Sequence, residues 1–298
     1  MREFNSFSEM NATDFREMQM IELKMLLYFN DFCKKYKLRY FLSGGTLIGA
    51  VRHKGFVPWD EDIDVHMPRP DYERLPKLWE KYADNKKYSL CITTLEHNTR
   101  QHAYMICDND TTMIEERTIN DDVPQGIRMD IMPYDGRPNS EFAAKIQFFW
   151  AAVFSIYNVQ RLPENQGGFL MRCGVRFALW IIKKPETRYK VWNYAKSQMS
   201  KYDFEKSPWV REMICPMRSA QFKYPRQNFT NAYMLEFEGH LFPAHYYYKD
   251  YLKNVYGNYM ELPPKNQRVQ KIKAVYINLD KGYNFYKGIK YCITKKGM

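Results

Sequence analysis

The chain has 298 residues, 45% of them hydrophobic, and its 45 Lys and Arg against 34 Asp and Glu give a formal charge of +11. That length can bury a sizeable core, in one large domain or in a domain with an insertion, and the charge points to an anionic partner: nucleic acid, an acidic membrane surface or a phosphorylated substrate. The six cysteines, at 33, 91, 107, 173, 215 and 292, form no Cys-x-x-Cys pair, which excludes a zinc knuckle or dithiol redox motif and reads as buried thiols in a reducing cytoplasm.

The opening MREFNSFSEMNATDFREMQ lacks the basic-then-apolar order of a secretion signal, so a cytoplasmic location is expected. Phe15, Met18, Ile21, Met25, Phe29 and Phe32 then recur at spacings of three and four. This predicts an amphipathic helix over residues 13 to 37, capped by Asn11 or Thr13.

The chemistry concentrates between residues 41 and 65, FLSGGTLIGAVRHKGFVPWDEDIDV. Tyr40, Phe41 and Leu42 form a short apolar run, Ser43, Gly44 and Gly45 a turn, and Thr46 to Val51 a short helix, giving strand, tight turn and helix start. The glycines permit positive φ and close backbone approach, and the amides opening the helix suit an anion such as phosphate. Asp60, Glu61, Asp62 and Asp64 place four acids in five positions. The alternation from Asp62 to Val65 is that of a strand, which puts Asp62 and Asp64 on one face about 7 Å apart. A divalent cation would remove their repulsion, and an all-oxygen ligand set favours Mg²⁺ or Mn²⁺. On composition alone a solvated acidic loop explains the cluster equally well.

Pro70 and Asp71 open a predicted helix reaching about Tyr82, with Asp71 as a first-turn acid favoured by the helix dipole. Tyr88 to Thr94, Tyr104 to Cys107 and Thr111 to Glu115 read as short strands extending one sheet, with a turn at Asp108 to Asp110. Gly126 to Pro133 alternates as a strand and carries Asp130 among apolar neighbours. A buried carboxylate there needs Arg128 on the same face or a shared cation. Asp135 is expected in a turn before Gly136.

Residues 141 to 192 hold two apolar runs, Ile146 to Tyr157 and Phe169 to Ile182, the second interrupted by Arg172 and Arg176. Neither offers the roughly 18 uncharged residues of a spanning helix. They predict a buried helical hairpin or an interfacial one, with Trp150, Trp180, Arg172, Arg176, Lys183 and Lys184 at the headgroup level. No motif is assigned from Lys196 to Gln227. In the last section Lys249 to Tyr256 is a predicted helix with a turn at Gly257 and Asn258, while Glu238 and His240 are packing residues with a site role as the alternative.

The run GGTLIGAVRHKGFVPWDEDIDV closely resembles the signature of the LicD family, bacterial phosphocholine transferases related to fukutin and the fukutin-related protein, within the nucleotidyltransferase fold superfamily. The likeness rests on the double glycine, on Arg52-His53-Lys54-Gly55-Phe56, on Pro58-Trp59-Asp60 and on the Asp-x-Asp pair. It extends to residues 13 to 37, to the Asp-hydrophobic-x-Pro-hydrophobic-Asp-Gly pattern of Asp130 to Gly136, and to residues 237 to 264. The 16 residues between Gly45 and Asp62 exceed the generic nucleotidyltransferase spacing but suit the LicD pattern.

The resemblance implies an α+β, nucleotidyltransferase-like fold with a mixed sheet: a core over residues 1 to 140, a helical insertion over 141 to 192, buried or membrane-facing, and a C-terminal part over 193 to 298. It implies transfer of phosphocholine or a related phosphoalcohol from CDP-choline or another CDP-alcohol to a hydroxyl of a cell-surface glycan or its lipid-linked precursor. Asp62, Asp64 and Asp130 would be the catalytic and metal-binding residues, with Mg²⁺ or Mn²⁺, and Asp130 would be either a ligand or a base. Gly44, Gly45, Thr46, Arg52 and Lys54 would bind the donor's diphosphate. Basic residues are scattered without a nucleic-acid reading motif. Transfer of the nucleotide half and an inactive polyanion- or membrane-binding role are the alternatives, and the intact aspartates at 62, 64 and 130 favour activity.

Overall fold

The side chain of Asn11 accepts hydrogen bonds from the Thr13 and Asp14 amides at 2.8 and 2.9 Å, and this cap starts α1, Ala12–Tyr36. Its inner face carries Met18, Met25, Leu26 and Phe29, all fully buried, as the three-and-four spacing predicts. Lys37, at φ 53, closes it. The computed structural model describes residues 2–162, 168–214 and 222–293.

The main sheet follows from the apolar runs: β2 (Phe41–Leu42), β3 (Ile63–Pro68), β4 (Tyr88–Cys91), β5 (Tyr104–Asp108), β7 (Arg128–Arg137), β8 (Trp209–Glu212) and β9 (Tyr224–Pro225). Its order is β2-β3-β7-β5-β4, with β8 on β7 and β9 on β8. The pairing of β3 with β7 is parallel and the others are antiparallel, so the sheet is mixed. Along one edge β7 pairs with β3; along the other it pairs first with β5 and then with β8. Between β2 and β3 lies α2, Gly44–Arg52, and after β3 comes α3, Arg69–Tyr82, with Pro70 in its first turn. The α1 and α3 helices pack their aromatic residues together, Phe32 and Trp79 lying 4.9 Å apart.

Several expectations are corrected. The strand β6, Thr112–Glu115, does not extend the main sheet; it joins a second sheet with β12 (Ala274–Asn278) and β1 (Glu3–Phe4), because its partner comes from the far end of the chain. Asp135 is no turn residue: β7 continues through it, and its fully buried carboxylate accepts from Arg69 Nε and Nη2 at 2.6 and 2.8 Å. Asp71 is the first-turn acid expected of α3, and it is in addition buried and ion-paired with Arg39 at 2.7 Å and Arg74 at 3.2 Å. Cys33, Cys91 and Cys107 are buried thiols, but Cys173 stands exposed, Cys292 is half-buried, and Cys215 lies outside the described residues.

Between the neighbouring strands β7 and β8 the chain inserts α4 (Glu141–Val159), α5 (Phe169–Ile181) and α6 (Pro185–Met199). The last of these crosses the expected boundary at residue 192. Beyond it, β10 (Ala232–Phe237) and β11 (His240–His245) form a hairpin, and α7, Tyr248–Tyr256, follows. Tyr251 of α7 reaches the glycine turn, its hydroxyl 3.2 Å from Ser43 Oγ.

Candidate active site

Ser43 is extended at φ −140 and ψ 175, and Gly44 turns to φ +54 before α2 begins. Two bonds tie this corner to β3: the Ser43 amide donates to the Asp64 carbonyl at 3.0 Å, and the Asp64 amide donates to Thr46 Oγ1 at 2.9 Å. The first in-helix bond runs from the Leu47 amide to the Ser43 carbonyl at 2.8 Å. The amides of Gly44, Gly45 and Thr46 therefore precede the intrahelical ladder and carry the positive end of the helix dipole.

The absence of side chains at the two glycines admits the protein's own acids. A Cβ on Gly44 would lie 2.2 Å from Asp64 Oδ2, and one on Gly45 would lie 2.2 Å from Asp60 Oδ2. The space expected to cradle a diphosphate is thus where two carboxylates lean against a helix N-terminus. Asp62 and Asp64 sit at the entry to β3, and the parallel register sets Asp64 directly opposite Asp130 on β7. All four aspartates keep a solvent-facing edge.

Their electrostatics follow from crowding. Burial, and then Glu61, push Asp60 up to about 7. Burial, followed by Asp130 and Asp60, pushes Asp64 up to about 8. Asp62 is driven well above the ordinary carboxylate range by burial, Asp64 and Asp60. Asp130 is relieved only in part among the described residues: Arg128 Nε stands 3.4 Å from its Oδ1, an atom that makes no hydrogen bond, while the same guanidinium also pairs with Glu115.

Sequence reasoning left three neighbours out of the site. Glu22 of α1 is fully buried, neither oxygen has a hydrogen-bond partner, and burial with Asp60 and Glu61 pushes it well up. Arg268 and Lys271 bring positive charge from the C-terminal segment, Lys271 acting on Asp60 and Asp64, and Arg268 on Arg52. The basic run from Lys265 to Lys273 was their only signal in the sequence. Arg52 is held by the carbonyls of Tyr259 and Glu261 at 2.8 and 3.0 Å, and its charge acts on Asp60. Lys54, at φ 60, turns its exposed amine to Glu236, 3.4 Å away. Glu238 is structural, accepting from Arg16 and from the Phe56 amide, and His240 is exposed on β11.

Among the described residues, no three Asp, Glu, His or Cys side chains converge tightly enough to enclose an ion as they stand. The donor set nonetheless fits a hard divalent cation. It is all carboxylate oxygen, its charges repel across two strands, and Asp130 Oδ1 lacks a hydrogen bond.

The family model for the LicD/FKTN/FKRP nucleotidyltransferase domain matches residues 37–146, which hold the glycine turn and all four aspartates. The chain is 30% identical to the lipopolysaccharide cholinephosphotransferase LicD of Haemophilus influenzae over 285 residues, covering 90% of this chain and 100% of that one. Over 28 residues, 9% of this chain and 6% of the relative, it is 54% identical to the ribitol 5-phosphate transferase FKRP of Homo sapiens. A stretch of 67 residues, 20% of this chain and 25% of the relative, is 30% identical to the uncharacterized protein RP689 of Rickettsia prowazekii. With so much of both chains aligned to one relative and the signature domain matched independently, this protein belongs to the LicD family of phosphotransferases.

Proposed function

We propose that the protein transfers a phosphoalcohol, phosphocholine foremost, from a CDP-linked donor to a hydroxyl of a cell-surface glycan or its lipid-linked precursor, on a nucleotidyltransferase-like fold. The observation that carries this reading is the register of Asp64 with Asp130 beside the glycine turn. Carboxylates from two strands thereby face one another next to a run of unbonded helix amides. Asp62, Asp64 and Asp130 would hold Mg²⁺ or Mn²⁺. When bound, the cation would offset charge on the transferred and leaving oxygens.

The chain's own groups supply the rest. The first-turn amides of Gly44, Gly45 and Thr46 meet the donor's diphosphate, and Arg52, Arg268 and Lys271 neutralise it. Lys54 adds to the positive field around the entrance. Burial and like-charged neighbours raise Asp60 and Asp64 above the ordinary carboxylate range, so a cation would relieve their crowding on binding.

The test incubates purified protein with Mg²⁺ and a panel of CDP-alcohols, follows CMP release, and runs Asp62→Ala and Asp64→Ala alongside. Each variant is expected to lose roughly 10³-fold in rate, the scale of removing a principal electrostatic stabiliser. Near-normal turnover in either would overturn the assignment, and pyrophosphate release from CTP without CMP would assign nucleotidyl transfer instead.

A further inference from the structure

The inserted helices are apolar on the side that faces away from the body. The inward face of α5 is complete: Val175 is buried, and Ala178, Leu179 and Ile182 pack against the cluster around Phe154 and Trp192. Its outward residues should then be polar, yet Phe169, Phe177, Trp180 and Ile181 are 80%, 60%, 64% and 56% exposed, with the Phe177 and Trp180 rings stacked at 6.2 Å. On α4, Phe142, Ile146 and Phe149 are likewise exposed, at helical spacing. Scattered exposed hydrophobic residues need no explanation, but rows of large apolar side chains at helical spacing on the outer sides of two helices do.

Its charge names the occupant. Residues 141 to 186 contain six Lys and Arg and three acids, Glu141 and Glu186 at the two ends and Glu164, which lies outside the described residues. Arg172, Arg176, Lys183 and Lys184 flank the apolar surface, and no acidic side chain lies within ion-pair distance of them among the described residues. Aromatic residues beside unpaired cations match the boundary between acyl chains and anionic headgroups. By length and composition α4 could cross a membrane. Its buried Gln147, however, bonds the Gly136 and Met199 carbonyls at 2.8 and 2.7 Å, which ties one face to the body. That face of α4 is therefore held against the protein and only the opposite one is free to meet a bilayer.

We infer that the outer face of the α4–α5 hairpin docks on an anionic phospholipid bilayer. The docking bears on the site, because Arg161 at the end of α4 pairs with Asp121 in the loop that feeds β7 and Asp130. It stands independently of which phosphoalcohol is transferred.

The full chain is sedimented with vesicles of phosphatidylcholine alone and with vesicles in which one-third of the lipid is phosphatidylglycerol, at low and high salt. Binding is expected only to the anionic vesicles, weakening with salt. Arg172→Gln with Arg176→Gln should weaken it roughly 5-fold per charge, about 25-fold for the pair, and Phe177→Ser with Trp180→Ser should weaken it by at least 10-fold. Because these side chains are exposed, both variants should keep the parent's circular dichroism and melting temperature. Parent protein that stays in the supernatant, or variants that bind like the parent, would overturn the inference. So would a dimer in light scattering that Trp180→Ser dissolves without any vesicle binding, since the face would then meet a second copy.

Discussion

The carboxylates at the site have opposing demands placed on them. Asp60 at about 7 and Asp64 at about 8 both stand above the ordinary 3.8 because burial and like neighbours penalise their charged forms. From that ordinary value up to about 7 for Asp60 and about 8 for Asp64, the unfolded chain has ionised the group while the folded chain still favours its proton. The folded state therefore binds more protons in this window, and its stability falls as pH rises. In chelator-treated protein the melting temperature is expected to decline from pH 5 to pH 8, and added Mn²⁺ should raise it more at pH 8, where fewer protons must be displaced. A melting temperature flat across that range, with or without Mn²⁺, would show that the acids are not crowded in solution. Asp62 and Asp64 could be read from their alternation, but Glu22 could not. Its helix reads as scaffold, and only the fold places it beneath Asp60 and Glu61.

At the scale of elements, the glycine turn and the acidic strand make one corner. Gly44 sits in the left-handed region, so Gly44→Ala combines backbone strain of about 1 to 2 kcal/mol with a clash at Asp64. At Gly45 φ is ordinary, and the obstacle is the far end of the flexible Asp60 side chain. Gly45→Ala should therefore keep the parent's stability within about 0.5 kcal/mol while lowering activity, whereas Gly44→Ala should lose both; denaturant melts beside rate measurements separate the two. Equal stability loss in both variants would mean that the acids are not what the glycines accommodate. The elements themselves were largely legible: α1 and the first part of β7 follow their periodicity, and α3 its start at Pro70 and Asp71. The sequence around Asp135 misleads because Pro-Tyr-Asp-Gly has turn chemistry, and only the pairing with β8 and the buried Arg69 carry β7 through it.

Across the whole molecule, segments far apart in sequence complete the site. Glu61 Oε1 accepts from the Lys271 and Ile272 amides at 2.6 and 2.8 Å, pinning the acidic loop to the segment before β12. Glu61→Ala should destabilise the fold by about 1 to 3 kcal/mol by stranding those amides, and Glu61→Gln, which keeps an acceptor oxygen, should cost less in urea titrations. An alanine variant as stable as its parent would remove this link. Such long-range ties were not legible, because neither the placement of Arg268 and Lys271 nor the partner of β6 has a local signature. The most direct measurement is electron paramagnetic resonance of Mn²⁺ titrated into the parent, Asp64→Asn and Asp130→Asn proteins. If carboxylates from the two strands share one cation, the parent binds a single ion and each substitution weakens it by about 10-fold or more. Unchanged Mn²⁺ affinity in either variant would contradict the account.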